Sequence, residues 1–171
     1  MDELSTTFAQ TEADPRLQVI LQQICVLTGM QFVAVAYVSD DRWICCQVED
    51  ALDFGLEAGS ELDIRKTICD EVRTFGKSIW FDNCANDPAW WDHSVPVLYG
   101  FKSYFALPIE LGGQFFGTLC GLDPQPRVES IGLHLAKLEL FAAEIASLLI
   151  ENGWQEKLLK LTGSTISDRP F

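Results

Sequence analysis

The stretch Gly100 to Pro126, GFKSYFALPIELGGQFFGTLCGLDPQP, constrains the fold more than any other part of the chain, because it reads as a complete hairpin with a marked end. Ser103 to Leu111 is rich in aromatic and β-branched residues, Gly112-Gly113 offers the positive φ of a tight turn, and Gln114 to Leu122 returns. A central antiparallel pair is expected. Asp123-Pro124-Gln125-Pro126 then leads the chain off the sheet, since the two prolines lack backbone donors. Strand alternation puts Ser103, Phe105 and Leu107 on one face of the first arm and Tyr104, Ala106 and Pro108 on the other. Alternation alone does not say which face meets a site.

At 171 residues and 48% hydrophobic, the chain is long enough for one well-buried core and too short for two. A formal charge of −13 opposes any large phosphate-neutralising surface, so neither nucleic acid nor anionic membrane is expected as a partner. No apolar run approaches the roughly 18 residues that span a bilayer. The N-terminus MDELSTTFAQTEAD is acidic and polar, unlike a signal peptide, and a cytoplasmic protein is expected. Cysteines stand at 25, 45, 46, 69, 84 and 120, with no CxxC pair or Cys/His cluster of metal-site spacing, so no metal site is assigned. Most lie in apolar segments as buried free thiols, whereas Cys84 follows a strand end in the polar loop NCANDPAWWDH.

Residues 1–13 are expected to be disordered, 14–161 to form one domain with a long C-terminal helix, and 162–171 to be a flexible tail. Asp14-Pro15 reads as a helix cap followed by proline at the first helical position, with Leu17, Ile20, Leu21, Ile24 and Leu27 at helical spacing before Gly29. Phe32 to Val38 and Trp43 to Val48 make a first hairpin around Asp40-Asp41. A loop with Gly55 and Gly59 leads to a short helix starting near Asp63, with Ile64, Ile68, Val72 and Phe75 on one face and Gly76 as its stop. Ser78 to Asp82 is a strand. Ser130 to Leu161 reads as one long helix whose apolar surface is too wide for a single partner, and its surplus is expected to meet the N-terminal helix or a second subunit.

The segments WICCQVEDALDFGLEAGSELDIRKTICDEV, IWFDNCANDP and HSVPVLYGFKSYFALPIELGGQFFGTLCGLDPQPR resemble GAF domains of bacterial histidine kinases and cyclic-dinucleotide signalling proteins. The resemblance covers about residues 15–150. It implies an α+β fold: a central antiparallel sheet of five to six strands, N- and C-terminal helices on one face and a helix/loop ligand-pocket layer on the other. It also implies a module that senses rather than catalyses, signalling through terminal helices to a histidine kinase or cyclic-dinucleotide enzyme partner; the surplus apolar stripe on the 133–159 helix predicts a homodimer through it and the N-terminal helix. Bilin-binding members of the family attach chromophore through a cysteine that commonly has a histidine beside it, and this chain has no Cys-His dipeptide. The GHIACD-like stretch of the GAF-fold methionine sulfoxide reductases and the NKFDE-type signature of cyclic-nucleotide binders are also absent. No cofactor is assigned.

Segment 83–102 has no clean period and holds Trp90, Trp91, His93 and Tyr99. Irregular segments of this length in compact domains usually cover a site or are mobile. It is expected to close over the sheet as a lid, with Trp91 and Tyr99 as recognition aromatics and His93 as a polar handle; the alternative is that Trp90 and Trp91 plug the core. Trp43, Ser103 and Phe105 are the sheet candidates for the ligand site. Asp63 marks the helix start whose N–H groups face either a small anion or the carboxylates of Asp63 and Glu61 themselves. No nucleophile, base and orienting group assemble into a catalytic set. The rivals to ligand sensing are a thiol redox sensor or reductase using Cys69 or Cys84, and a structural dimerisation domain with a filled core.

Overall fold

The computed structural model describes residues 2–64, 67–87, 89 and 100–163. Its first element corrects an expectation, because residues placed in a disordered N-terminus form helix α1 (Glu3–Gln10). Eight residues hold little helix in water by themselves. Tertiary contacts hold this one: Asp2 accepts from the Ser5 N–H at 3.0 Å, the Ser5 hydroxyl donates to Glu61 at 2.6 Å, and Arg42 pairs with Glu61 at 2.7 Å and with Asp2. Phe8 is buried against the C-terminal end of the chain.

Helix α2 (Pro15–Thr28) starts where the Asp14 carboxylate accepts from the Arg16 N–H at 2.9 Å and ends at Gly29. Leu17, Ile20, Leu21 and Ile24 form its buried face. Strands β1 (Phe32–Val38) and β2 (Trp43–Asp50) make the first hairpin, and β3 (Glu61–Leu62) adds a short edge to β2. The short helix α3 (Cys69–Phe75) begins six residues after Asp63, not beside it. Ile68 is its N-cap residue, and Gly76 ends it as expected. Phe75, placed by spacing on the buried face, is exposed instead.

Strand β4 (Ile79–Phe81) precedes the hairpin of β5 (Ser103–Leu111) and β6 (Gln114–Asp123). Gly112 and Gly113 have φ of 61° and 81°, the positive values that a two-residue turn requires. The six strands form one antiparallel sheet in the order β3-β2-β1-β6-β5-β4. β1 lies in the middle and is buried on both faces, which is why its sequence is almost continuously apolar.

The long C-terminal helix is corrected to two. A 3₁₀ turn at Ile131–His134 leads into α4 (Leu135–Glu151), the chain bends at Asn152-Gly153, and α5 (Trp154–Thr162) follows. Gly153 has φ 82°, incompatible with a continuing helix. The bend lets Leu138, Ala142, Ile145 and Leu149 face the sheet while Trp154 and Leu158 are buried under α1. Much of the surplus apolar surface is thus covered by the chain itself.

Each sheet face carries its own core. α1, α2, α4 and α5 cover Val33, Val35, Ile44, Phe105, Leu107 and Leu119. On the opposite face Phe32, Ala34, Trp43, Cys45, Tyr104 and Cys120 pack with Ile64, Ile68, Cys69, Val72 and Phe101.

Candidate functional site

The second core is incompletely filled. Phe32, Trp43, Phe54, Leu56, Leu62, Thr67, Ile68, Cys69, Phe101, Tyr104, Cys120 and Leu122 surround a cavity of about 40 Å³. That volume takes about two or three water-sized groups. Its walls are mainly aromatic and aliphatic, and its polar atoms gather where α3 meets β5 and β6.

Register explains that gathering. Trp43 opens β2 opposite Leu62 of β3, and Tyr104 of β5 lies across from Leu122 of β6. Thr118 and Cys120, two apart on β6, project to the same side. Cys69, the first residue of α3, faces them: its sulfur is 3.1 Å from the Thr118 hydroxyl and 3.4 Å from the Tyr104 hydroxyl, and Cys120 and Trp43 line the same cavity. Both cysteines are nearly inaccessible to solvent.

The electrostatic consequence separates these thiols from the others. Cys120, joined by the Thr118 and Tyr104 hydroxyls and the Trp43 indole, holds the Cys69 thiol below its ordinary value in spite of burial. The neighbouring Cys69 and burial push Cys120 up. Burial, helped by the Glu57 charge, raises Cys45 to about 12 and, helped by the Glu49 charge, Cys25 to about 11. Burial also raises the Tyr104 phenol, so it remains a hydroxyl able to donate to a Cys69 thiolate.

Residues 12–149 match the GAF domain family profile. The chain belongs to the GAF domain family. Members of that family are generally sensory or regulatory. No curated protein matches the sequence. Among solved structures, the GAF domain of a two-component sensor histidine kinase from Bacillus halodurans superposes with a TM-score of 0.59 at 16% identity, covering 90% of this chain and 100% of that one. The second GAF domain of DevS from Mycobacterium smegmatis gives 0.60 at 17% identity, covering 85% and 99%. A type II free methionine-R-sulfoxide reductase from Thermoplasma acidophilum gives 0.60 at 13% identity, covering 80% and 91%. At these identities the likeness is one of fold.

In this GAF domain the residues singled out from sequence separate into groups. Trp43 and Cys69 line the cavity. Ser103 and Phe105 do not: the open question of strand parity resolves with both facing the helix side. Phe105 lies in the helix-covered core over Gly121, where a Cβ would come within 2.3 Å of its ring. Ser103 is buried and donates to the Gln125 carbonyl at 2.7 Å, securing the chain after β6. Asp63 is exposed and lies six residues before the start of α3. Cys84 is half-buried at the edge of the second core, its thiol directed to the Phe101 carbonyl at 3.7 Å. Trp91, His93 and Tyr99 lie outside the described residues. Asp87 forms a local turn, accepting from the Ala89 N–H at 2.9 Å, whereas Asp82 accepts from the Ile131 N–H and the Ser130 hydroxyl, both at 2.8 Å, and ties the end of β4 to the 3₁₀ turn.

Sequence reasoning missed Tyr104, Thr118 and Cys120 as members of the site. The available signal was their parity on the hairpin, since Tyr104 alternates with Phe105, and Cys120 with Leu119. Among the described residues no group of three or more His, Cys, Asp or Glu is placed to hold a metal ion.

Proposed function

We propose that this GAF domain is a cytoplasmic, non-catalytic sensory module that binds a small, largely apolar molecule carrying one hydrogen-bonding group. The cavity of about 40 Å³ under the second sheet face is the observation that carries this reading. Its lining has the composition of small-molecule sites, apolar walls with a few convergent polar groups. A cavity of about 150 Å³ is the scale that admits benzene. A ligand of that size therefore displaces Phe54 and Leu56, which come from the irregular 51–60 connection rather than from the sheet. Trp43, Tyr104 and Cys69 are its polar contacts, and Trp91, His93 and Tyr99 remain candidates from the 83–102 segment.

Signalling runs through the sheet to α1, α2, α4 and α5, because alternate residues of β1 and β6 belong to opposite cores. The output is a histidine kinase or cyclic-dinucleotide enzyme, reached through a homodimer formed by the terminal helices. Val19 and Val26 recur on α2 and Leu133 and Leu140 on the turn and helix opposite, all exposed.

Native mass spectrometry of the protein as purified tests the ligand reading. Retained mass that Trp43→Ala or Tyr104→Ala releases supports it. An empty domain that gains no thermal stability from a panel of small aromatic acids, amides and phenols favours a structural dimerisation role.

A further inference from the structure

We propose that Cys69 and Cys120 form a hydroperoxide-reactive dithiol in this GAF domain, with Cys69 attacking and Cys120 resolving. Two thiols 51 residues apart in sequence line one cavity, the Cys69 sulfur lying 3.1 Å from the hydroxyl of Thr118, the residue two before Cys120 on the same face of β6. A buried pair of free cysteines that only filled space would need no polar surroundings. Here the Cys69 sulfur lies 3.1 Å from the Thr118 hydroxyl and 3.4 Å from the Tyr104 hydroxyl, each able to donate to it. Donors converging on one sulfur stabilise its thiolate, the nucleophilic form. The lowered ionisation of Cys69 agrees with that geometry.

The cavity limits the oxidant. About 40 Å³ admits a molecule of two or three heavy atoms, which is the size of hydrogen peroxide. The Cys69 thiolate attacks one peroxide oxygen: the O–O bond breaks, an S–O bond forms, the sulfur loses two electrons, and the departing hydroxide takes up a proton as water. The Cys120 thiol then attacks the Cys69 sulfenic acid. Its S–S bond forms as the S–O bond breaks, and its proton leaves with the hydroxide as a second water. Two thiols and one peroxide yield one disulfide and two waters. An external dithiol, protein or small molecule, resets the pair by exchange. The disulfide ties the start of α3 to β6 and removes Cys69 as a partner of Thr118 and Tyr104.

This site shares the cavity with the ligand proposed above but does not depend on ligand binding. The test treats the reduced full chain with stoichiometric hydrogen peroxide and maps it without reduction. A Cys69–Cys120 linked peptide, with Cys25, Cys45, Cys46 and Cys84 still free, is the expected result. In Cys120→Ser, dimedone should label Cys69; in Cys69→Ser, labelling of Cys120 should fall at least tenfold below that. A reduced pair after peroxide treatment of the wild type, or oxidation that starts at Cys84, overturns the proposal. Oxidation by free methionine sulfoxide as fast as by peroxide overturns the assignment of oxidant. A silent dithiol leaves the native mass spectrometry result standing, and an empty pocket leaves the disulfide standing.

Discussion

Phe8 and Trp154 stack with ring centroids 4.3 Å apart and planes 10° from parallel, joining the first helix of the chain to the last. Both rings are buried, and Tyr37 and Phe116 of the sheet pack around Phe8. Replacing Phe8 by Ala should cost about 3–5 kcal/mol. For a chain of this size each kcal/mol lowers the midpoint by roughly 2–4 °C. Thermal unfolding of Phe8→Ala checks this, and a change under 1 °C would show that α1 is not docked.

Gly153 offers a test whose sign is decisive. A Cβ there meets nothing within 4 Å, so substitution acts through the backbone alone. In the bent structure, with φ 82°, Gly153→Ala should destabilise by about 1 kcal/mol. In one continuous helix the same change would stabilise by a similar amount. Urea unfolding distinguishes the two, and Gly153→Asn should be milder than Gly153→Ala.

The Asp14 carboxyl is held down to about 2 by the hydrogen bond from Arg16, assisted by Asn152 and the Arg16 N–H, against an ordinary 3.8. A depressed carboxylate contributes stability that is present above its unfolded value and lost as pH falls through the folded one. The window is therefore about pH 4 down to about 2. Arg16 is half exposed, so screening reduces the contribution to about 1 kcal/mol. Asp14→Asn keeps a capping oxygen and should be less stable than wild type at pH 7, with the difference closing by pH 2.

Tyr104→Phe retains the ring that lines the cavity and removes the hydroxyl 3.4 Å from the Cys69 sulfur. The ionisation of Cys69 should rise towards that of a free thiol, about 8.5. Alkylation rates of Cys69 followed across pH by mass spectrometry report the shift. An unchanged profile would show that Tyr104 does not stabilise the thiolate.

Leu140 is 67% exposed and Val26 86% exposed, so a charge at either costs the isolated domain little. If the terminal helices form the dimer, Leu140→Glu and Val26→Glu should shift it to monomer with the melting temperature of the monomer unaltered, since an unpaired carboxylate would be desolvated in the contact. Light scattering at high micromolar concentration reads the outcome. A wild type of about 19 kDa at that concentration removes the dimer from the proposal.

Local chemistry made much of the scaffold legible in advance. Gly112-Gly113 dictates a tight turn whatever surrounds it, Asp14-Pro15 and Gly29 bound α2 by backbone preferences, and the apolar run of β1 announces a strand buried on both sides. The GAF arrangement follows from the order of these elements. What remained hidden depends on contacts between distant segments. Alternation pairs Ser103 with Phe105 and opposes them to Tyr104, but only the docking of α4 on β5 decides that Phe105 faces helices and Tyr104 faces the cavity. α1 is too short and polar to announce itself, and it exists because Trp154 supplies a ring for Phe8. Cys69 and Cys120 read singly as buried hydrophobes, since nothing local distinguishes a thiol that packs from one that meets a second thiol. The sheet register and the seating of α3 bring those two sulfurs together, and a one-dimensional pattern carries no term for the distance between residues 51 positions apart.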